Sequence, residues 1–427
     1  MIGVALVVLL TLLLLSIPVA ATLITLALFT DQFFSAFPLY RAMGEVLWSA
    51  SDSFLLIAIP LFILLGEILV RTGIARSTYE TLESWLSWLP GGLLHANIGT
   101  ATLFSATSGS SVATAATIGT VAMPQAKSLG YDERLFAGSI AAGGTLGIMI
   151  PPSINLIVYG FLTETSIPRL FAAGLLPGLL LALVFIGGTA VMCQLKPSLG
   201  GPKRSHSWSQ RLRGLWHLIP VLTLFGLVVG SIYAGWATPT EAAALGVVGA
   251  LVIAAFMRRL TLGVVIEALD GTMRTTGMIM LIIISSYFLN FVLASAGVTR
   301  DLNDLIAGAG LGPYGTLLIT VGLYVVLGFF VETLSLMVIT IPIVAPIIIA
   351  QGFDPVWFGI LLILLIEMAL ITPPVGLNLY VVQGVRHRGS LNDVMIGAIP
   401  YVLFMVVVAA LLILYPNIAL FLPSVLG

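Results

Sequence analysis

Charge is scarce in this sequence. Asp, Glu, Lys and Arg make up 8% of its 427 residues, hydrophobic residues make up 59%, and the mean hydropathy is +1.14. A soluble domain carries about 25% charged residues, so an ordinary soluble domain is excluded and an all-α polytopic membrane protein is predicted. Cysteine is nearly absent too. Cys193 stands alone, which excludes an intrachain disulfide and any multi-cysteine metal site. No basic stripe accompanies the net charge of −1, so nothing points to a nucleic acid. His95, His206, His217 and His387 are scattered, and no zinc-binding His pair, nucleophile elbow or cofactor loop is visible. An enzyme is therefore not expected, and no cofactor beyond a coupling ion is called for. No basic residue precedes the first apolar run, Ile2 to Phe29. It is too long for a signal-peptide core and reads as a retained first span over about 3–29.

Two stretches of this apolar chain are copies of each other. Within residues 92–155 and 314–378 a single offset carries Pro124 onto Pro346, Gly130 onto Gly352, Tyr131 onto Phe353 and Asp132 onto Asp354. The same offset carries the pair Pro151-Pro152 onto Pro373-Pro374. One offset that aligns glycines, prolines and an aspartate through mostly aliphatic sequence indicates an internal duplication.

In chain order, a polar connection after the first span leads to a second span at about 53–71. Residues 73–89 put Glu80 and Glu83 on one face and Leu82, Trp85 and Leu86 towards another, the pattern of a helix lying along the interface. Residues 92–123 are apolar but interrupted by Ser105, Thr107, Ser108, Gly109, Ser110 and Ser111. Each arm is too short for a hydrocarbon core of ~30 Å, so the segment reads as a re-entrant helical hairpin. A span over 134–162 is broken at Gly143, Gly144, Gly147 and Pro151-Pro152. Prolines there remove backbone donors and leave free carbonyls that need a partner. A span at 169–195 closes the first repeat, 1–195.

The linker 196–236 contains the basic stretch 196–213 and a span at 215–233. The second repeat, 237–427, opens with Thr238, Pro239 and Glu241, a capping box with proline in the first helical position. An interfacial segment near 261–274, a span at 276–296, a hairpin at 314–349, a broken helix at 356–385 and a last span at 392–424 follow. With a cytoplasmic N-terminus, all of the 17 Lys and Arg except Arg41, Arg169 and Arg300 fall on cytoplasmic segments, in accord with the positive-inside rule. The C-terminus is then periplasmic and the two repeats are inverted. The seven tryptophans fall near predicted span ends, as interfacial belts require.

Inverted repeats whose broken helices meet near the midplane are the signature of a secondary transporter. Half-helix N-termini offer positive dipole ends to an anion, and freed carbonyls and hydroxyls offer hard ligands to Na⁺. The substrate candidates in the first repeat are Ser108, Gly109, Ser110, Ser153 and Asn155, and in the second Glu332, Thr333 and Asn378. The Na⁺ candidates are Ser108, Ser110, Gly143, Thr145, Gly147 and Pro151 in the first repeat, with Thr333, Glu367, Thr372 and Gly376 in the second. No Lys or Arg lies in either hairpin core or break, so dipoles, hydroxyls and co-bound cations are left to hold a carboxylate. Singly, each feature also has a structural reading: small residues let helices pack closely, prolines only kink, and a buried carboxyl can serve as a hydrogen bonder. The repetition of the whole set favours the functional one.

The segments SGSSVATAATIG, GYD, IPPS, ATPTEAAALG and TPPVGLN, in this order over nearly the whole chain, resemble the large membrane subunit of a tripartite ATP-independent periplasmic (TRAP) transporter. The resemblance implies a Na⁺-driven importer of carboxylate-bearing solutes in the cytoplasmic (inner) membrane of a bacterium or archaeon. It implies two partners, a small four-helix membrane subunit that is not fused here and a periplasmic solute-binding protein. It also implies an elevator, in which hairpins and broken helices carry the solute past a scaffold. The rival readings are a stand-alone dicarboxylate- or citrate-type symporter, an intramembrane enzyme using Glu332 or Glu367, and an inert scaffold.

Overall fold

The computed structural model describes residues 2–35, 37–108, 110–202, 206–298, 301, 310–329 and 331–426, and no strand occurs among them. The first half contains α1 (Ile2–Leu14), α2 (Val19–Phe34), α3 (Met43–Ser51), α4 (Ala58–Arg71) and α5 (Ile74–Leu86). It continues with α6 (Leu93–Ser108), α7 (Ser111–Ser128), α8 (Glu133–Met149), α9 (Ile154–Thr163) and α10 (Ile167–Leu195). The short α11 (Trp208–Gly214) leads into α12 (Ile219–Tyr233), α13 (Pro239–Phe256) and α14 (Leu262–Ser295). The remainder is α15 (Gly312–Leu327), α16 (Thr333–Ala350), α17 (Pro355–Ala369), α18 (Leu377–Arg386), α19 (Leu391–Leu414) and α20 (Asn417–Leu426). Among the described residues, six helices are long and apolar enough to cross a bilayer. Two further pairs do so only together: α8 with α9, bent by 42°, and the α11 segment with α12, bent by 44°.

Local chemistry sets the helix ends. Asp132 accepts the Leu135 N–H at 2.9 Å to start α8, and Asp354 accepts those of Val356 and Trp357 at 2.7 and 3.1 Å to start α17. Thr238 and Glu241 make both bonds of a capping box at the head of α13, which satisfies donors the helix leaves free. Gly130 and Gly352, with φ of +70° and +90°, end the turns after α7 and α16 where a side chain would be strained.

α8 and α17 form the centre, buried along almost their entire lengths. The start of α8 meets the end of α18: Glu133 bonds Arg386 and Arg388 at 3.0 Å each, and Asp393 at the head of α19 bonds Arg134 at 2.9 Å. At the opposite end, Tyr159 of α9 donates to the Pro355 carbonyl at 2.6 Å. α8 also crosses α19 with backbones in contact, since a Cβ on Gly138 would overlap Gly397 and one on Gly397 would overlap the Arg134 carbonyl. Around this centre, α13, α14 and α19 turn Val248, Val252, Met278, Leu281, Leu403 and Val407 outward.

Several sequence expectations are corrected. The span expected over 3–29 is two helices, α1 and α2, parted where Ser16 takes φ of +57° ahead of Pro18. The interfacial segment and span expected at 261–274 and 276–296 are one unbroken 34-residue helix, because no proline interrupts it. The last span divides at Tyr415-Pro416 into α19 and α20. Glu83 is buried and does not share a polar face of α5 with Glu80, which stays exposed and pairs with Arg76. Trp48, Trp88, Trp208, Trp216 and Trp236 are exposed, whereas Trp357 is buried and donates to the Leu412 carbonyl at 2.9 Å.

Candidate functional site

A cavity of about 90 Å³ lies where four segments meet. Ser110, Ser111 and Val112 at the head of α7 form one wall, and Glu332 and Thr333 at the head of α16 form another. Asn155, in the first turn of α9, closes a third, and Leu370 and Leu377 come from the two sides of the break between α17 and α18. Three helix N-termini therefore converge on one small space, each presenting the positive end of its dipole. Ser110 accepts the Ala113 N–H at 3.3 Å, Ser153 that of Leu156 at 3.3 Å, and Glu332 that of Ser335 at 3.1 Å. These caps hold the three termini open without an external partner. Asn155 is 2% exposed, and its Nδ2 has no hydrogen-bond partner, so it supplies a donor for whatever occupies the cavity.

Of the sequence candidates, Ser110, Asn155, Glu332 and Thr333 line this cavity. Ser153 stands behind Asn155 as the fully buried cap of α9. Ser108 is the last residue of α6, and Gly109 lies outside the described residues. Glu332 is exposed at the tip and also accepts the Ser335 hydroxyl at 3.1 Å, so its position has a capping reason of its own. Glu367 is fully buried, accepts the Ser111 hydroxyl at 2.6 Å through Oε2, and has no partner for Oε1. Asn378 is fully buried as well. Its Nδ2 donates to the Ala141 carbonyl at 3.3 Å, and its Oδ1 is unpartnered.

The remaining candidates sit in the helix breaks and in α8, outside the cavity lining. Gly143 admits Ala101 of α6, and its neighbour Gly144 admits Ala115 and the Ser111 carbonyl, each 2.9 Å from where a Cβ would stand. Thr145 and Thr372 spend their hydroxyls on carbonyls of their own helices, Ala142 at 2.7 Å and Met368 at 2.6 Å. Gly147 and Pro151 are buried, and Gly376 takes φ of +41° at the head of α18. The Pro151-Pro152 and Pro373-Pro374 peptides are both cis. Sequence reasoning missed Thr275 and Ile279 of α14, which also line the cavity. Their signal was the four-residue spacing Glu267, Gly271, Thr275, Ile279, which lies on one face of a helix.

A family model described as the tripartite ATP-independent periplasmic transporter, DctM component, matches residues 6–418. The chain belongs to this family. Among its relatives, the C4-dicarboxylate TRAP transporter large permease protein DctM of Pseudomonas aeruginosa is 34% identical over 91% of this chain and 90% of that one. The ectoine TRAP transporter large permease protein TeaC of Halomonas elongata is 32% identical over 86% of both. These relatives are named as transporter permeases, not enzymes, and membership makes this chain a multi-pass membrane permease. Its fold resembles that of MtrF from Neisseria gonorrhoeae, with a TM-score of 0.65 at 13% identity over 93% of this TRAP permease and 94% of MtrF.

Proposed function

We propose that this permease imports a small carboxylate-bearing solute by Na⁺ symport, receiving it from a periplasmic binding protein and working beside a small four-helix membrane subunit. The observation that carries this reading is the cavity where the capped N-termini of α7, α9 and α16 meet, with the unpartnered Asn155 Nδ2 in its wall. A carboxylate there is held by dipoles and amide donors, with no basic side chain in the lining. Na⁺ finds oxygen ligands around the tips and breaks, with Ser108, Ser110, Gly143, Thr145, Gly147 and Pro151 on one side. Thr333, Glu367, Thr372 and Gly376 serve on the other. Glu367 Oε1 and Asn378 Oδ1, both buried without partners, favour this placement. The family membership and the names of the relatives support the two protein partners, and a dicarboxylate and ectoine among those names leave the solute class broad.

The same reading takes 1–195 and 237–427 as inverted repeats joined by 196–236. The bonds from the start of α8 to the end of α18, and from the end of α9 to the start of α17, favour it, because two inverted copies packed side by side meet head to tail. On this reading the paired tips and breaks form a carrier that slides past a scaffold that includes α4, α12 and α14. The permease sits in the cytoplasmic membrane with 196–213 inside.

The test is uptake into proteoliposomes that contain both membrane subunits and are supplied with the binding protein. An inward Na⁺ gradient should drive accumulation of a carboxylate solute with more than one Na⁺ per solute. Full uptake in Na⁺-free buffer under a proton gradient alone overturns the coupling. A disulfide between the tip near Ser110 and the scaffold should stop uptake, and full activity in the crosslinked protein overturns the elevator.

A further inference from the structure

A second cavity of about 220 Å³ adjoins the first, since Ser110, Val112, Ile154 and Thr275 line both. It runs between Ala113 and Ala116 on α7 and Gly66, Glu67 and Val70 on α4. One face of α14 follows the same course. Ile279 and Thr275 border the central cavity, Gly271 packs on the Glu67 carboxyl, where a Cβ would stand 2.8 Å from Cδ, and Glu267 lies one turn further. From Ile279 to Glu267 is about 18 Å of helix axis at the α-helical rise, roughly half of a hydrocarbon core of ~30 Å. The two cavities thus extend from the meeting point of the tips towards the end of α4 at Glu67 and Val70. Beyond α4, Trp85 and Thr81 of α5 bond the carbonyls of Arg211 and Gly214 at 3.1 and 3.0 Å, which places this end beside the helix that carries Arg211 and Arg213.

A basic side chain stands at the mouth of this route. Arg71 bonds Glu67 at 2.9 Å and Glu267 at 2.8 Å, and its side chain is 29% exposed. Glu67 lines the route and Arg71 neutralises it. Glu67 and Glu267 share this one guanidinium. Arg259 adds a second cation beside it by donating to the Thr72 carbonyl at 2.6 Å, and an anion that reaches the mouth competes with the two carboxylates for Arg71. Arginine suits that exchange, because its planar fork passes from one carboxylate to another while it keeps its charge.

We propose that Arg71, held between Glu67 and Glu267, selects for anions at the inner mouth of the solute route and receives the carboxylate as it leaves the central cavity. This deepens the transport reading and rests on it for the direction of solute movement. The charge selectivity itself can be read without the solute or Na⁺.

In a Cys193→Ala background, Ala113→Cys places one thiol in the route. Its reaction rates with a sulfonate-bearing and a trimethylammonium-bearing methanethiosulfonate are compared in inside-out and right-side-out vesicles. With Arg71 present, the sulfonate reagent should react from the inner face at least as fast as the cationic one. Arg71→Gln should lower the anion-to-cation rate ratio tenfold or more, Arg71→Lys should keep it, and Glu67→Gln should raise it. An unchanged ratio in Arg71→Gln overturns the proposal, as does a thiol that does not react from the inner face. If Arg71→Gln fails to fold, Glu67→Gln decides: a ratio no higher than that of the parent overturns it. Loss of Na⁺-driven uptake in the parent would strike the transport reading alone and leave this ratio standing.

Discussion

The Ser111 hydroxyl donates a 2.6 Å hydrogen bond to Glu367 across 256 residues of sequence. It ties the head of α7 to the last turn of α17, inside a core where Glu367 has no exposure and Oε1 has no partner. The bond therefore joins the two halves of the chain at the level of the central cavity.

Removing that donor should be costly. Ser111→Ala leaves the whole Glu367 carboxyl without a partner, and an unsatisfied buried group costs about 1–3 kcal/mol. Thermal unfolding in detergent should rank wild type and Glu367→Gln, which still accepts from Ser111, above Ser111→Ala. Equal midpoints for Ser111→Ala and wild type would show that the bond contributes nothing.

The crossing of α8 and α19 tolerates no side chain. Gly138→Ala and Gly397→Ala each drive a methyl into backbone rather than into a movable side chain, so the loss should reach or exceed about 3 kcal/mol, the upper end of ordinary overpacking. Size-exclusion profiles should show aggregated or absent protein for both. Gly226→Ala, with nothing within 4 Å of the added atom, should elute as wild type.

Arg386 is 6% exposed in its side chain and reaches both Glu133 and Asp393, at 3.0 and 3.5 Å. Arg386→Gln removes a nearly buried cation from two carboxylates at once, leaving Glu133 to Arg388 and Asp393 to Arg134 alone, and loss of a buried charge partner is destabilising. We expect its thermal midpoint to fall by several degrees at both low and high salt. Arg76→Gln, in an ion pair whose partners are 75% and 60% exposed, should stay near wild type. A similar response from the two variants would refute a clamping role for Arg386.

Cysteines at His206 and Tyr314 should react with an impermeant maleimide from opposite faces of the membrane. His206 lies in the basic linker and Tyr314, 63% exposed, at the head of α15. Labelling of both from one side would be incompatible with the inverted reading.

What the sequence determined by itself was local or statistical. Hydropathy marked the chain as a membrane protein, and the proline pairs marked where α8–α9 and α17–α18 break. The cap at Thr238 was readable because a cap bonds N–H groups only two or three residues away. Helix continuity was less readable. Hydropathy does not register the turn at Ser16, although Pro18 was a signal for it, and it cannot tell that 261–296 stays in one piece. The tertiary structure decided which faces meet. It separated Glu332, an exposed cap, from Glu367, buried on Ser111, although both are glutamates in apolar sequence. It also brought Thr275 and Ile279 into the cavity and turned Trp357 inward to Leu412. Those outcomes depend on partners tens to hundreds of residues away, and a partner's position follows from how helices pack, which no local pattern contains.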